Sequence, residues 1–225
     1  MCFSAHASFG TSIILSIIGV ATLQQATQPK QYLFASIPFI FAIQQLAEGI
    51  LWLGLEDLKY AYLQKIGMYT FLFFAQVIWP ILVPIPIKLI IKNEKWFKIQ
   101  NFLLGIGVLI SLYLGYCLIK YHVEAQIIEN HIAYKQDYPD TISRYGGILY
   151  LMATIGPTFF TKIDKMWLLG VAILLSYFLT VIFYKAYIVS VWCFFSAIIS
   201  IAVLKIIYEL NKDAIKIIYK KIEST

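Results

Sequence analysis

Residues 32–55 read YLFASIPFIFAIQQLAEGILWLGL, and in these twenty-four positions the only charged side chain is Glu48. A helix of that length rises roughly 36 Å, enough to cross a hydrocarbon layer of about 30 Å. Six further apolar runs surround it, at 8–25, 66–87, 97–119, 145–161, 166–184 and 187–208. The run at 145–161 is short and holds Pro157, so a kinked or partly re-entrant segment is expected there. Across the chain 60% of residues are hydrophobic and 13% charged, with a mean hydropathy of +0.77. A soluble domain carries about 25% charge, so this chain has too little polar surface to cover a globule in water. The reading is an all-α integral membrane bundle of about seven transmembrane helices, whose first partner is the lipid bilayer.

Basic residues orient the bundle. With the N-terminus outside, twelve Lys fall on the inner side or in the tail, against six Lys and Arg outside. The excess of positive charge on the cytoplasmic side favours N-out and C-in. The net charge of +6 is therefore read as topology, and no nucleic-acid motif accompanies it. Past residue 208, Ile207, Leu210, Ala214, Ile217 and Ile218 share one helical face, and Lys205, Lys212, Lys216 and Lys220 lie largely off it. Such a basic amphipathic C-terminal helix suits an anionic lipid surface. The expected organisation is a transmembrane domain over 1–208 and a cytosolic amphipathic tail over 209–225, within the cell membrane. The polar stretch 120–144, holding His122, His131, Tyr134 and Tyr138, is long enough to be a lid or binding loop.

Glu48 needs an explanation, because a carboxylate in hydrocarbon costs on the order of 3 kcal/mol. It lies about seven residues from the end of its span, roughly 10 Å deep. Phe41, Gln44, Glu48 and Trp52 form one helical stripe, which should face the bundle interior. In the next span Gln76 lies near the midplane, followed by Trp79-Pro80 and by Pro84 and Pro86. Prolines leave carbonyl groups open, which a neighbour or water must satisfy. The expected site is a pocket open to the outer side that binds a small molecule or ion for transport or sensing. Glu48 is its charge or proton centre, Gln44 and Gln76 orient the ligand, and Trp52, Trp79 and Trp192 form walls. Ser8, Ser12 and Ser16, and likewise Gly107, Ser111 and Gly115, read as seams for close helix packing.

Every Cys and His falls in the outer half under this topology. Cys2, His6 and Cys193, with Glu48, can supply metal ligands; two thiols can form a disulfide; or these are ordinary buried small residues. An intramembrane enzyme or metalloprotein using Cys2 and Glu48 is the alternative reading, and a partner-binding membrane subunit is a third. No cofactor, ligand identity or oligomeric state follows from the sequence.

The opening Met-Cys-Phe-Ser-Ala, with Gln44-Gln45…Glu48-Gly49…Trp52, Gln76…Trp79-Pro80 and Ser190-Val191-Trp192-Cys193-Phe194, resembles an uncharacterised family of prokaryotic membrane proteins that begin with the same pentapeptide. That resemblance implies a seven-helix membrane fold without an established activity, and it draws attention to Cys2, Glu48, Trp79 and Cys193. Seven-helix zinc hydrolases fit worse, because all three His precede residue 132. Retinal proteins fit worse because Lys205 lies at the inner end of its span, where it would snorkel.

Overall fold

The computed structural model describes residues 4–91, 93–128, 130–183 and 195–222. Five helical stretches are long and apolar enough to cross a membrane: Ala5–Gln25, Pro29–Glu56, Leu58–Ile90, Glu94–Lys120 and Met166–Phe183. They are built from α1 (Ala5–Gln25), α2 (Pro29–Ala35), α3 (Ile37–Glu56), α4 (Gln64–Phe73), α5 (Trp79–Leu82), α6 (Pro84–Ile90), α7 (Glu94–Lys120) and α10 (Met166–Phe183). The expected run at 145–161 is two shorter helices, α8 (Asp140–Thr154) and α9 (Gly156–Phe159), interrupted before Pro157. Gln100 on α7 bridges that interruption, its amide donating to the Pro157 and Phe160 carbonyls at 2.9 Å each. The last helix, α11 (Ser196–Ile222), runs without a break past Tyr208 and carries Lys205, Glu209 and Lys212 within its length.

The packing is that of a protein whose solvent is apolar. On α7 the polar Gln100 and Ser111 are buried, with Gly107 and Ile110, while Phe102, Leu109, Leu112 and Ile119 face outward. Burying the polar groups and exposing the apolar ones inverts the arrangement of a soluble helix. Both small-residue seams pack as expected of such seams. Ser12 on α1 donates to the Ala42 carbonyl of α3 at 2.8 Å. A side chain at Gly49 would meet the Phe9 ring, and one at Gly19 the backbone of Phe39. On α7, Ser111 donates to the Val77 carbonyl at 2.7 Å, and a Cβ at Gly107 would come within 2.0 Å of the Pro80 oxygen.

Two cores follow. One gathers Phe34, Phe41, Trp79, Ile87, Met166 and Val203; the other gathers Ala47, Leu51, Trp52, Phe71, Val123 and Ile132. The second is closed by a feature that departs from an all-helical chain. Within the long polar stretch, β1 (Val123–Ile128) and β2 (His131–Gln136) form an antiparallel hairpin, with Val123 opposite Gln136 and Ile128 opposite His131. Its tight turn places Asn130 at φ 62°, a left-handed conformation that Asn tolerates well. Val123, Ala125, Ile132 and Tyr134 turn toward the helices, and Tyr134 stacks on Phe71 at 5.2 Å. On the solvent side, His122 and Glu124 pair at 2.8 Å, and this contact holds the Glu124 carboxyl below its ordinary range.

At the opposite end the connection between α1 and α2 is tied to α11. Asn211 on α11 accepts from the Thr27 hydroxyl at 2.8 Å and from the Gln31 amide at 3.2 Å, and donates to the Gln25 carbonyl. Lys165 and Glu209 form an ion pair beside it.

Candidate functional site

The local chemistry of the third span sets the site. Pro80 has no N–H, so the backbone before it cannot keep a regular α ladder. Residues Phe74–Ile78 widen into a π turn, and the Trp79 N–H reaches back to the Phe74 carbonyl. That leaves neighbouring carbonyls open, and two other helices satisfy them. The Tyr150 hydroxyl of α8 donates to Ala75 O at 2.5 Å, and Ser111 of α7 donates to Val77 O as described. It is the π turn that leaves the Ala75 carbonyl without its α-helical donor, since the Trp79 N–H goes to Phe74 instead, and the Tyr150 hydroxyl fills it. π turns of this kind are frequent at functional sites because they rotate the following side chains out of α register. Here they present Gln76 and Trp79.

Trp79 joins the second and third spans. Its indole N–H donates to Gln44 Oε1 at 2.7 Å, and its ring stacks on Phe41 with centroids 4.0 Å apart. Gln44, Gln45 and Glu48 are each at most 1% exposed. The Glu48 carboxylate accepts from Gln45 Nε2 at 3.2 Å, one turn away on the same helix. Trp52 is also buried, and its indole N–H has no hydrogen-bond partner among the described residues.

On the other side of Trp79 the bundle is hollow. A partly open cavity of about 380 Å³ lies among α2, α3, the π turn, α7, α8, α10 and α11. Trp79, Gln76 and Phe41 form part of its wall; Glu48, Gln44 and Trp52 do not. The hollow thus borders Gln76 and not Glu48. Gln44, one turn from Glu48 on α3, reaches Trp79 in the wall and links the two.

Further cavity residues come from α7, α8 and α10, to which the sequence assigned no site role, and from the polar stretch 120–144, read as a lid or binding loop. Tyr113 on α7, Gln136 at the end of β2, Tyr150 and Thr154 on α8, and Tyr177 on α10 line it, together with Tyr138. The Tyr138 hydroxyl donates to Gln76 Oε1 at 3.0 Å. Burial pushes its ionisation well above the ordinary phenol range, so it remains a donor at neutral pH. The Tyr113 hydroxyl, one turn from Cys117, has only that weak thiol beside it. The sequence carried a usable signal for the hairpin: alternating Val-Glu-Ala-Gln-Ile and Ile-Ala-Tyr-Lys-Gln around Glu-Asn. A hairpin at that position returns Gln136 and Tyr138 to the bundle, where a flexible loop would not.

The expected metal ligands are not brought together among the described residues. His6 is exposed on α1, and Cys2, Cys193 and Trp192 lie outside the described residues. Among the described residues no group of three or more His, Cys, Asp or Glu side chains assembles.

No curated protein and no solved structure matches the chain. Residues 1–216 match the model of a family of unknown function, DUF6629. That match runs from the first helix through the hairpin and the cavity segments into the last helix, and the chain belongs to this family.

Proposed function

We propose that this protein resides in the cell membrane and binds a small molecule in the cavity beside Gln76 and Trp79, for transport or sensing. The observation that carries the reading is the cavity itself: about 380 Å³, within the size range of small-molecule sites, set against a π turn in a proline-rich span. Small residues pack the helices tightly elsewhere, so a hollow of this size among seven segments is a feature to explain. Gln76 and Trp79 contact the ligand. Gln44 fixes the Trp79 ring through its 2.7 Å hydrogen bond, and Glu48, one turn beyond Gln44, is the group through which charge or a proton influences the wall.

The test is purification from native membranes into lipid nanodiscs without added ligand, followed by an experimental density map and mass spectrometry of released small molecules. The reading expects a non-protein molecule against Trp79, bound differently by Glu48→Gln than by wild type somewhere between about pH 4 and 9. A cavity closed by side chains, or one holding only acyl chains of the surrounding lipid, would overturn it. An identical response of Glu48→Gln across that range removes Glu48 from the site.

A further inference from the structure

The chemistry of the cavity wall narrows what it would take. Among the described residues, no Asp, Glu, Lys, Arg or His lines the cavity. A charged molecule brought there would lose its hydration without gaining an ion partner, a cost of several kcal/mol. Aromatic rings supply much of the wall, with Phe34, Phe41, Trp79 and Tyr113 among them.

One polar group is arranged differently from its neighbours. Gln76 is 7% exposed, and its carboxamide is oriented by a single contact, the Tyr138 hydroxyl donating to Oε1 at 3.0 Å. Its nitrogen has no hydrogen-bond partner among the described residues, although it is not among the fully enclosed unpaired atoms. The equivalent amide on the other side of Trp79, Gln44, spends its oxygen on the indole instead. Tyr150 and Thr154 in the same wall are also committed, to the Ala75 carbonyl at 2.5 Å and the Tyr150 carbonyl at 2.8 Å. Gln136 Nε2 and the Tyr113 hydroxyl also lack a hydrogen-bond partner among the described residues, but both atoms are enclosed by protein, so the wall offers the N–H donors of the oriented Gln76 amide on a largely apolar, aromatic surface.

We propose that the cavity takes a neutral, largely apolar molecule bearing a carbonyl-type oxygen, with that oxygen accepting from Gln76 Nε2 and the apolar body against Trp79 and Phe41. The proposal rests on the reading of the cavity as a ligand site and adds the ligand's chemical class. Tyr138 is a positioning residue: by holding Oε1 it fixes which end of the amide meets the ligand. A carbonyl acceptor satisfies a donor that costs free energy when buried without a partner, whereas a pure hydrocarbon of the same shape leaves that donor unpaired. An anion gains from the same donor but carries the desolvation cost of its full charge.

Benzophenone, a neutral diaryl ketone that crosslinks to nearby C–H bonds under ultraviolet light, is the probe. The full-length protein in nanodiscs is labelled and the adducts are mapped by mass spectrometry. Three naphthalene competitors follow: 2-acetonaphthone, 2-ethylnaphthalene and 2-naphthoate. The expected adducts fall on α8 and α10 facing the cavity. 2-Acetonaphthone should displace them about five- to tenfold more effectively than 2-ethylnaphthalene, the range expected for one hydrogen bond to a buried donor. 2-Naphthoate should compete least. Gln76→Met, which keeps the side-chain length and removes the donors, should lower cavity labelling by a similar factor. Tyr138→Phe, a second variant that leaves Gln76 in place, should lower it by a smaller factor. Cavity labelling displaced equally by ketone and hydrocarbon, or unchanged in both variants, or displaced best by the anion, overturns the ligand class and leaves the site standing. Absence of cavity adducts in the wild-type protein overturns both the class and the site.

Discussion

The two faces of Trp79 differ in what their buried amides do. On one face Gln44, Gln45 and Glu48 are enclosed by helices packed at glycine and serine seams: the Gln44 oxygen takes the indole N–H, and the Gln45 amide serves the carboxylate. On the other face Gln76, at 7% exposure, borders open space, with only its oxygen held. Three carboxamides buried at comparable levels thus have different uses. Gln44 joins two helices through the indole, as a buried amide met by protein does, while Gln45 serves its own helix with its nitrogen and leaves its oxygen without a partner among the described residues. Under the proposed reading, an amide with an unmet donor beside a void meets a ligand.

That contrast can be broken by mutation, and the largest effect is expected where the hollow face is clamped. A Cβ at Gly107 would sit 2.0 Å from the Pro80 oxygen, in a place where backbone rather than a flexible side chain must give way. Gly107→Ala should destabilise the protein by about 3 kcal/mol, the upper end of overpacking costs, read as loss of folded protein in a denaturing-detergent titration. Wild-type stability in that variant would mean that α7 and the third span are not in this contact.

Trp79→Phe comes next. It retains a ring to stack on Phe41 but removes the donor to Gln44 Oε1. The expected cost is about 1–2 kcal/mol from loss of a buried hydrogen bond, in the same titration, with the void extended toward Gln44. Tyr138→Phe should cost less, about 1 kcal/mol or below, because the Gln76 oxygen gains access to whatever occupies the cavity. If Tyr138→Phe destabilised more than Trp79→Phe, the assignment of solid and hollow faces would be reversed.

The smallest effect belongs to the far end, remote from both faces. The Lys165 ammonium holds the Glu209 carboxyl below its ordinary value of 4.5. A depressed folded-state value contributes stability above 4.5 that is lost as pH falls through the lower, folded value. The stability difference between wild type and Glu209→Gln should therefore be small at neutral pH and shrink on acidification below about pH 4, measured by thermal unfolding. A difference that grows on acidification contradicts the pairing.

Much of this arrangement was legible in the residues because hydrocarbon enforces simple rules. Ser12 and Gly107 were readable as packing positions, since small residues in apolar helices have few other uses. The burial of Glu48 followed from the cost of exposing it to lipid. Five helices long and apolar enough to cross a membrane were legible from length and apolarity alone, whereas 145–161 is interrupted before Pro157 and α11 carries seven charged residues along its course, all from Lys205 onward. The hairpin was harder to see: two six-residue strands give a weaker periodic signal than a span, and their inward residues matter only once the Leu51–Phe71 surface exists to receive them. Gln76 and Trp79 were legible as wall residues, but that the cavity borders them and not Glu48, Gln44 or Trp52 was not, because it depends on how the spans turn against one another, with a π turn in one of them. Pro80 announces a disturbance in the helix but not which way the next side chains rotate.

Thr154 and Ala47 provide the most direct test of solid against hollow. They are almost equally buried, at 3% and 4%, yet Thr154 lines the cavity and Ala47 does not. In a background with Cys2, Cys117 and Cys193 replaced by Ala, each position is changed in turn to Cys, and the folded protein in nanodiscs is treated with methyl methanethiosulfonate, a small membrane-permeant thiol reagent. Thr154→Cys should be modified at least tenfold faster than Ala47→Cys. Equal rates, or faster modification of Ala47→Cys, would mean that the space beside Gln76 is filled and that the distinction between the two faces of Trp79 does not exist.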